Sequence, residues 1–169
     1  MTEHSPIRLH DASPFGVLFV CLGNICRSPI AEGVFIHEAR ERGILDRFDI
    51  DSCGTGGWHA GERADPRARA TAKARGIELP SLARKLNPKN DFDRFHLILP
   101  MDQQNMDDLL RLGAPAERVR LMRSFDATAE HLAEVPDPYY GGAEGFENVF
   151  DMVQRACKGL LDEMLQHNT

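Results

Sequence analysis

The run Val17-Leu18-Phe19-Val20, ending at Cys21, is apolar without alternation. A strand with apolar side chains on both faces must be covered on both faces, the condition met by a parallel sheet between layers of helix. The run leads directly into Leu22-Gly23-Asn24-Ile25-Cys26 and then Arg27-Ser28-Pro29, where a helical pattern begins. The chain is thus committed early to strand, short loop and helix, in that order.

The remainder repeats that alternation. From Pro29 to about Arg42, Ile30, Ala31, Val34 and Phe35 share one face at helical spacing. Phe48–Cys53 reads as a second strand running into Gly54-Thr55-Gly56-Gly57, and Asp65-Pro66 as a capped helix start leading to about Arg75. His96–Pro100 reads as a third strand, Gln103–Leu112 as a helix closed by Gly113, and Val119–Met122 as a short fourth strand. Phe146, Val149, Phe150, Val153, Cys157, Leu160, Leu161 and Met164 then keep a helical period to the end. The expected fold is a single α/β domain over residues 16–169, with a four-stranded, mostly parallel sheet and helices on both faces. Residues 1–15 form a polar arm, expected to be loosely ordered.

Composition removes several classes of function. A net charge of −6 speaks against a nucleic-acid surface, so any anion site has to be local. No apolar run approaches the roughly 18 residues of a membrane span, and the arm lacks the apolar core of a signal peptide. Four cysteines could make two disulfides, but a chain of 169 residues does not need them. The expectation is a cytoplasmic protein with reduced thiols, acting as a monomer.

The loop after the first strand carries the chemistry. A free thiol of pKa about 8.5 is mostly protonated at neutral pH, and a helix N-terminus and a guanidinium both lower it. Cys21 has both in prospect, from the following helix and from Arg27. Helix-terminal N–H groups bind phosphate oxygens, and the planar fork of Arg27 matches two of them. Gly23 lets the backbone approach a ligand and Asn24 tolerates left-handed geometry. Ser28 is placed to cap the helix and to donate to the thiolate. An acid is then needed to protonate a leaving group, and Asp137, followed by Pro138-Tyr139-Tyr140, is the candidate. The two tyrosines could hold an aromatic ring, with Trp58 as an opposite wall. Metal-ligand spacings and a complete nucleotide-binding glycine pattern are both missing, so no cofactor is expected.

These residues resemble the low-molecular-weight protein tyrosine phosphatases. The match rests on Cys21-Leu22-Gly23-Asn24-Ile25-Cys26-Arg27-Ser28-Pro29-Ile30-Ala31-Glu32, on Asp51-Ser52-Cys53-Gly54-Thr55 with Trp58-His59, and on Asp65-Pro66-Arg67. It continues through Ala83-Arg84, Met101-Asp102 with Asn105, and Asp137-Pro138-Tyr139-Tyr140. The resemblance implies metal-free hydrolysis of phosphotyrosine in proteins, or of small aryl phosphates, through a cysteinyl-phosphate. Cys21 would be the nucleophile, Arg27 would bind phosphate with residues 22–26 and Ser28, and Asp137 would be acid and then base. Asn24, Ser28 and Ser52 would support the loop, while Trp58, Tyr139 and Tyr140 would line the substrate cleft. Cys26 would match a second loop cysteine able to pair with the nucleophile under oxidation.

Two positions depart from the family pattern. Ser81 stands where many relatives have His, which puts the support of Asn24 in question, and Pro100 ends the third strand. A thiol-dependent arsenate reductase would need further cysteines downstream, and residues 78–100 contain none. A phosphoarginine phosphatase would be expected to carry Thr in place of Ile25. A phosphate-binding protein without catalysis would be expected to have lost Cys21, Arg27 or Asp137.

Overall fold

The fold is that of a computed structural model describing residues 4–5, 7–9 and 14–166. Strand β1 (Phe15–Cys21) is central, flanked by β2 (Phe48–Gly54) and β3 (Leu97–Pro100) in the order β2-β1-β3, all parallel. Cys21 pairs with Gly54 at the C-terminal edge, and Val20 pairs with Pro100.

The double-sided apolar run does what its composition requires. Val17, Phe19 and Cys21 face a large core with helices α1 (Arg27–Glu41), α2 (Pro66–Ala74) and α5 (Ala143–Gln166). Leu18 and Val20 face a smaller core with Phe92 of α3 (Pro88–Arg94) and Leu109 of α4 (Gln103–Arg111). Leu18 and Phe19 are both fully buried, so adjacent side chains on opposite faces are both out of water. The apolar stripe of α5 runs from Phe146 to Met164 against α1.

The sheet has three strands among the described residues, not the four expected. Val119 makes only an isolated bridge to Ile98, with Arg120 N–H donating to the Ile98 carbonyl at 3.1 Å. A 3-10 turn at Ala116–Arg118 delivers the chain to the sheet edge, and another at Met122–Phe125 takes it away under α5. Burial of Met122 and Phe125 in the large core thus competes with strand pairing and prevails. Pro100, without an N–H, costs β1 nothing, because Met101 N–H donates to the Val20 carbonyl at 3.1 Å.

Most of the polar arm (1–3, 6 and 10–13) lies outside the described residues. Ile7 and Leu9 within it pack on the large core, and Leu9 is buried. Among the described residues no helix is long and apolar enough to cross a membrane.

Candidate active site

The segment between β1 and α1 wraps around a point above Cys21. Its carbonyls turn outward: those of Cys21, Leu22 and Ile25 accept from the N–H groups of Thr55, Gly56 and Asp65 at 2.8–3.0 Å. Among the described residues, none of the N–H groups of residues 22–26 donates in the backbone bonds formed outside the helices and strands. The loop therefore presents donors to its interior, the polarity an anion requires. Asn24 holds the left-handed conformation (φ 57°) that turns the loop. Gly54 sits beneath, where a Cβ would lie 2.7 Å from the Leu22 carbonyl oxygen.

Three polar side chains fix this loop from inside the protein. Asn24 Nδ2 donates to Ser28 Oγ (2.8 Å) and Ser52 Oγ (3.0 Å), and its Oδ1 accepts from Arg84 N–H (2.9 Å). Ser28 Oγ lies 2.9 Å from Cys21 Sγ, so the hydroxyl can donate to the sulfur once it is a thiolate. Ser28 does not cap α1, as its position suggested: the N-cap is Cys26, without a side-chain cap bond. Ser28 lies one residue inside the helix, so its hydroxyl is directed at Cys21 and Asn24 and not at the helix N–H groups.

The network continues to a residue that sequence reasoning left without a role. Ser52 Oγ donates to Glu32 Oε1 and Ser81 Oγ donates to Glu32 Oε2, each at 2.6 Å. Glu32 is 2% exposed, and burial pushes its carboxyl above the ordinary carboxylate range while the two serine hydrogen bonds oppose the shift. Ser81 is thus part of the loop's support, acting on Asn24 through Glu32 and Ser52.

Arg27 is 3% exposed and arrives pre-aimed. Its Nη1 donates to Asp102 Oδ2 (2.6 Å) and to the Val135 carbonyl (3.2 Å), and its Nη2 lies 3.8 Å from Asp137 Oδ2. Burial alone would lower its pKa, but Cys21, Asp102 and Asp137 outweigh burial and raise it. Asp102 was also left without a role, although Asp-x-x-Asn is a readable cap signature. Its other oxygen accepts from Asn105 N–H at 2.8 Å, so one carboxylate starts α4 and orients Arg27.

Cys21, Leu22, Gly23, Ile25, Cys26, Arg27, Trp58, Asp137, Tyr139 and Tyr140 line one pocket of about 270 Å³, which also includes His59. Asn24, Ser28 and Ser52 stand behind it. Asp137 is tied locally, its Oδ1 accepting from Tyr139 N–H at 3.0 Å. All four cysteines are free thiols, and Cys53 and Cys157 are buried outside the pocket. Burial beside Asp65 and Cys21 pushes the Cys26 thiol up to about 12, so it stays protonated at neutral pH. No cluster of metal-ligating side chains occurs among the described residues.

Fold and site together define an α/β protein with a thiol set inside an anion cradle at the C-terminal edge of a parallel sheet. The family model described as low molecular weight phosphotyrosine protein phosphatase matches residues 16–169. A low molecular weight protein-tyrosine-phosphatase of Streptomyces coelicolor is 47% identical over 152 residues, covering 87% of this chain and 92% of that protein. A low molecular weight phosphotyrosine protein phosphatase of Schizosaccharomyces pombe is 46% identical over 136 residues, covering 79% and 86%. The crystal structure of a protein tyrosine phosphatase from Entamoeba histolytica, with Hepes in its active site, superposes with a TM-score of 0.84 at 38% identity, covering 90% of this chain and 97% of that one. The chain belongs to the low-molecular-weight phosphotyrosine protein phosphatase family.

Proposed function

We propose that the protein hydrolyses phosphotyrosine in proteins in two steps at Cys21. The Cys21 thiolate attacks phosphorus, forming an S–P bond as the P–O bond to tyrosine breaks, and Asp137 gives its proton to the departing phenolate. Asp137 then takes a proton from water, whose oxygen displaces sulfur and releases inorganic phosphate. The loop N–H groups and Arg27 hold the non-bridging oxygens throughout, and Ser28 donates to the sulfur when it carries charge. The observation that carries this reading is the convergence of the loop bearing Cys21 and Arg27 with Asp137, distant in sequence, on one pocket.

The substrate class follows from the walls. Trp58, Tyr139 and Tyr140 are 72%, 38% and 92% exposed, leaving aromatic faces free for a ring. Ile25 adds an apolar wall, which suits an aryl ester better than a phosphoguanidinium. A cysteine relay of the kind arsenate reduction needs finds no support, because Cys53 and Cys157 are fully buried. A reduced, cytoplasmic environment agrees with four free thiols. Under peroxide, Cys21 would become a sulfenic acid, and the Cys26 thiol would displace water from it to form a disulfide. Recovery of peroxide-inactivated enzyme by excess thiol checks that step; permanent loss would remove it.

Hydrolysis of para-nitrophenyl phosphate and of a phosphotyrosine peptide by wild type and Cys21→Ser tests the whole reading. Turnover of both by wild type and of neither by Cys21→Ser is expected. Undiminished turnover in Cys21→Ser would falsify it.

A further inference from the structure

A second groove adjoins the pocket across a shared wall. It has a volume of about 360 Å³ and is lined by Leu22, Thr55, Gly56, Gly57, Trp58, Lys85, Asp108, Arg111 and Leu112, so that Leu22 and Trp58 belong to both hollows. The ridge between them is built by close packing. The Trp58 ring lies so tightly on Gly56 that a Cβ there would be 1.9 Å from a ring carbon. On the groove side, away from the ring slot, the stem of Lys85 passes Gly57, with its Cδ 3.3 Å from where a Cβ would stand.

The charges of this groove are uneven. Asp108 is occupied, accepting from Arg111 Nη2 (2.9 Å) and from Gln104 Nε2 (3.1 Å). Lys85 makes no ion pair among the described residues, and the Arg111 side chain remains 73% exposed despite its one partner. The buried Thr55 hydroxyl also lacks a hydrogen-bond partner there. A hollow with two outward cations and one satisfied carboxylate is a site for an anionic group. Its neighbour is the ring slot, and an extended chain advances about 3.3 Å per residue, so the next few residues of a bound peptide lie within reach.

We infer that this groove binds the polypeptide flanking the phosphotyrosine on one side, and that Lys85, assisted by Arg111, selects a carboxylate side chain there. The inference rests on the phosphatase reading and names its substrate class: phosphotyrosine in an acidic sequence. Trp58 separates the phosphorylated residue from its acidic neighbour, so the ridge also sets the spacing between them.

The test is a peptide scan with a small-substrate control. Phosphotyrosine peptides of equal length carry a single Glu moved from three positions before the phosphotyrosine to three after it, against a neutral parent. Turnover is measured at low salt with wild type and Lys85→Glu, and para-nitrophenyl phosphate, which ends at the ring, is run beside them. In wild type, Glu at one or two adjacent positions on one flank should raise kcat/KM by about threefold to fivefold, the scale of an exposed ion pair. Lys85→Glu should abolish that gain, favour Lys at the same position, and leave para-nitrophenyl phosphate unchanged. A flat scan, or a preference that survives Lys85→Glu, overturns the groove while the control shows the phosphatase intact. No turnover of either substrate class overturns both.

Discussion

The cradle at 21–28 and the segment at 134–142 meet in one pocket but are held in opposite ways. In the cradle Asn24, Arg27 and Ser28 are 2%, 3% and 0% exposed, and each makes hydrogen bonds to residues distant in sequence. In the other segment the Asp137 side chain is 41% exposed; among the described residues it accepts a hydrogen bond from Tyr139 alone, with Arg27 Nη2 at 3.8 Å. That segment is moored at Val135, whose N–H donates to the Met101 carbonyl at 2.8 Å, and by Arg67, which donates to the Gly141 carbonyl at 3.4 Å and lies over the Tyr139 ring. A group that stabilises developing charge gains from being fixed before the reaction, because it then needs no reorganisation. A group that must give up a proton and later take one from water needs access to solvent. In the proposed mechanism the two regions divide the work along that line.

Removing one residue from each region, with activity and stability measured together, separates the two. Asp137→Ala should lower kcat on a phosphotyrosine peptide by about 10²–10⁴, and far less on an ester with a good leaving group. Its Tm should barely move, since the side chain is exposed and locally bonded. Asn24→Ala should lower kcat by about 10², because a displaced loop misplaces the donors, and should also lose about 2–4 kcal/mol of stability. Equal losses on both esters in Asp137→Ala, or an unchanged Tm in Asn24→Ala, would erase the distinction.

Gly56→Ala addresses the ring slot. It should push Trp58 off its seat and raise KM for aryl phosphates by about tenfold, with kcat nearly kept, since uniform binding is what the ring provides. A crystal structure of the variant with Trp58 unmoved would contradict that account.

The smallest effect belongs to Glu32. Its folded pKa lies above the unfolded value, so the folded state holds the proton more tightly. The stability this adds is present below the ordinary carboxylate range and is lost as pH rises through the raised folded pKa. Glu32→Gln should therefore flatten the fall of Tm with rising pH, a change that thermal melts across the acidic range would resolve. Identical profiles would remove Glu32 as the titrating group.

How far the sequence foretold this arrangement depends on the range of each interaction. The double-sided strand, the loop and the helix that follows are local consequences of composition, and they stand where Val17–Pro29 put them. Asp137 was legible because two tyrosines next to an Asp-Pro pair have few other uses beside an anion site. The fourth strand was not, since Val119–Met122 has strand composition, but past the single bridge at Val119 the chain turns at Met122 and is drawn under α5 by contacts no local pattern records. Pro88 opened a short helix that the weak apolar pattern of 88–94 concealed. Glu32, Ser81 and Asp102 escaped for a related reason. Each acts through a partner brought close only by the completed fold, and Ser81 looked like a loss because its acceptor, Glu32, had no assigned place.

In the proposed mechanism phosphate passes through Cys21. Rapid quenching of the enzyme during turnover of a phosphotyrosine peptide labelled in its phosphate, followed by peptide mapping, measures this directly. Label on the peptide containing Cys21 in wild type, and none in Cys21→Ala, is the predicted result. Full turnover without any labelled cysteine, or label persisting in Cys21→Ala, would contradict it.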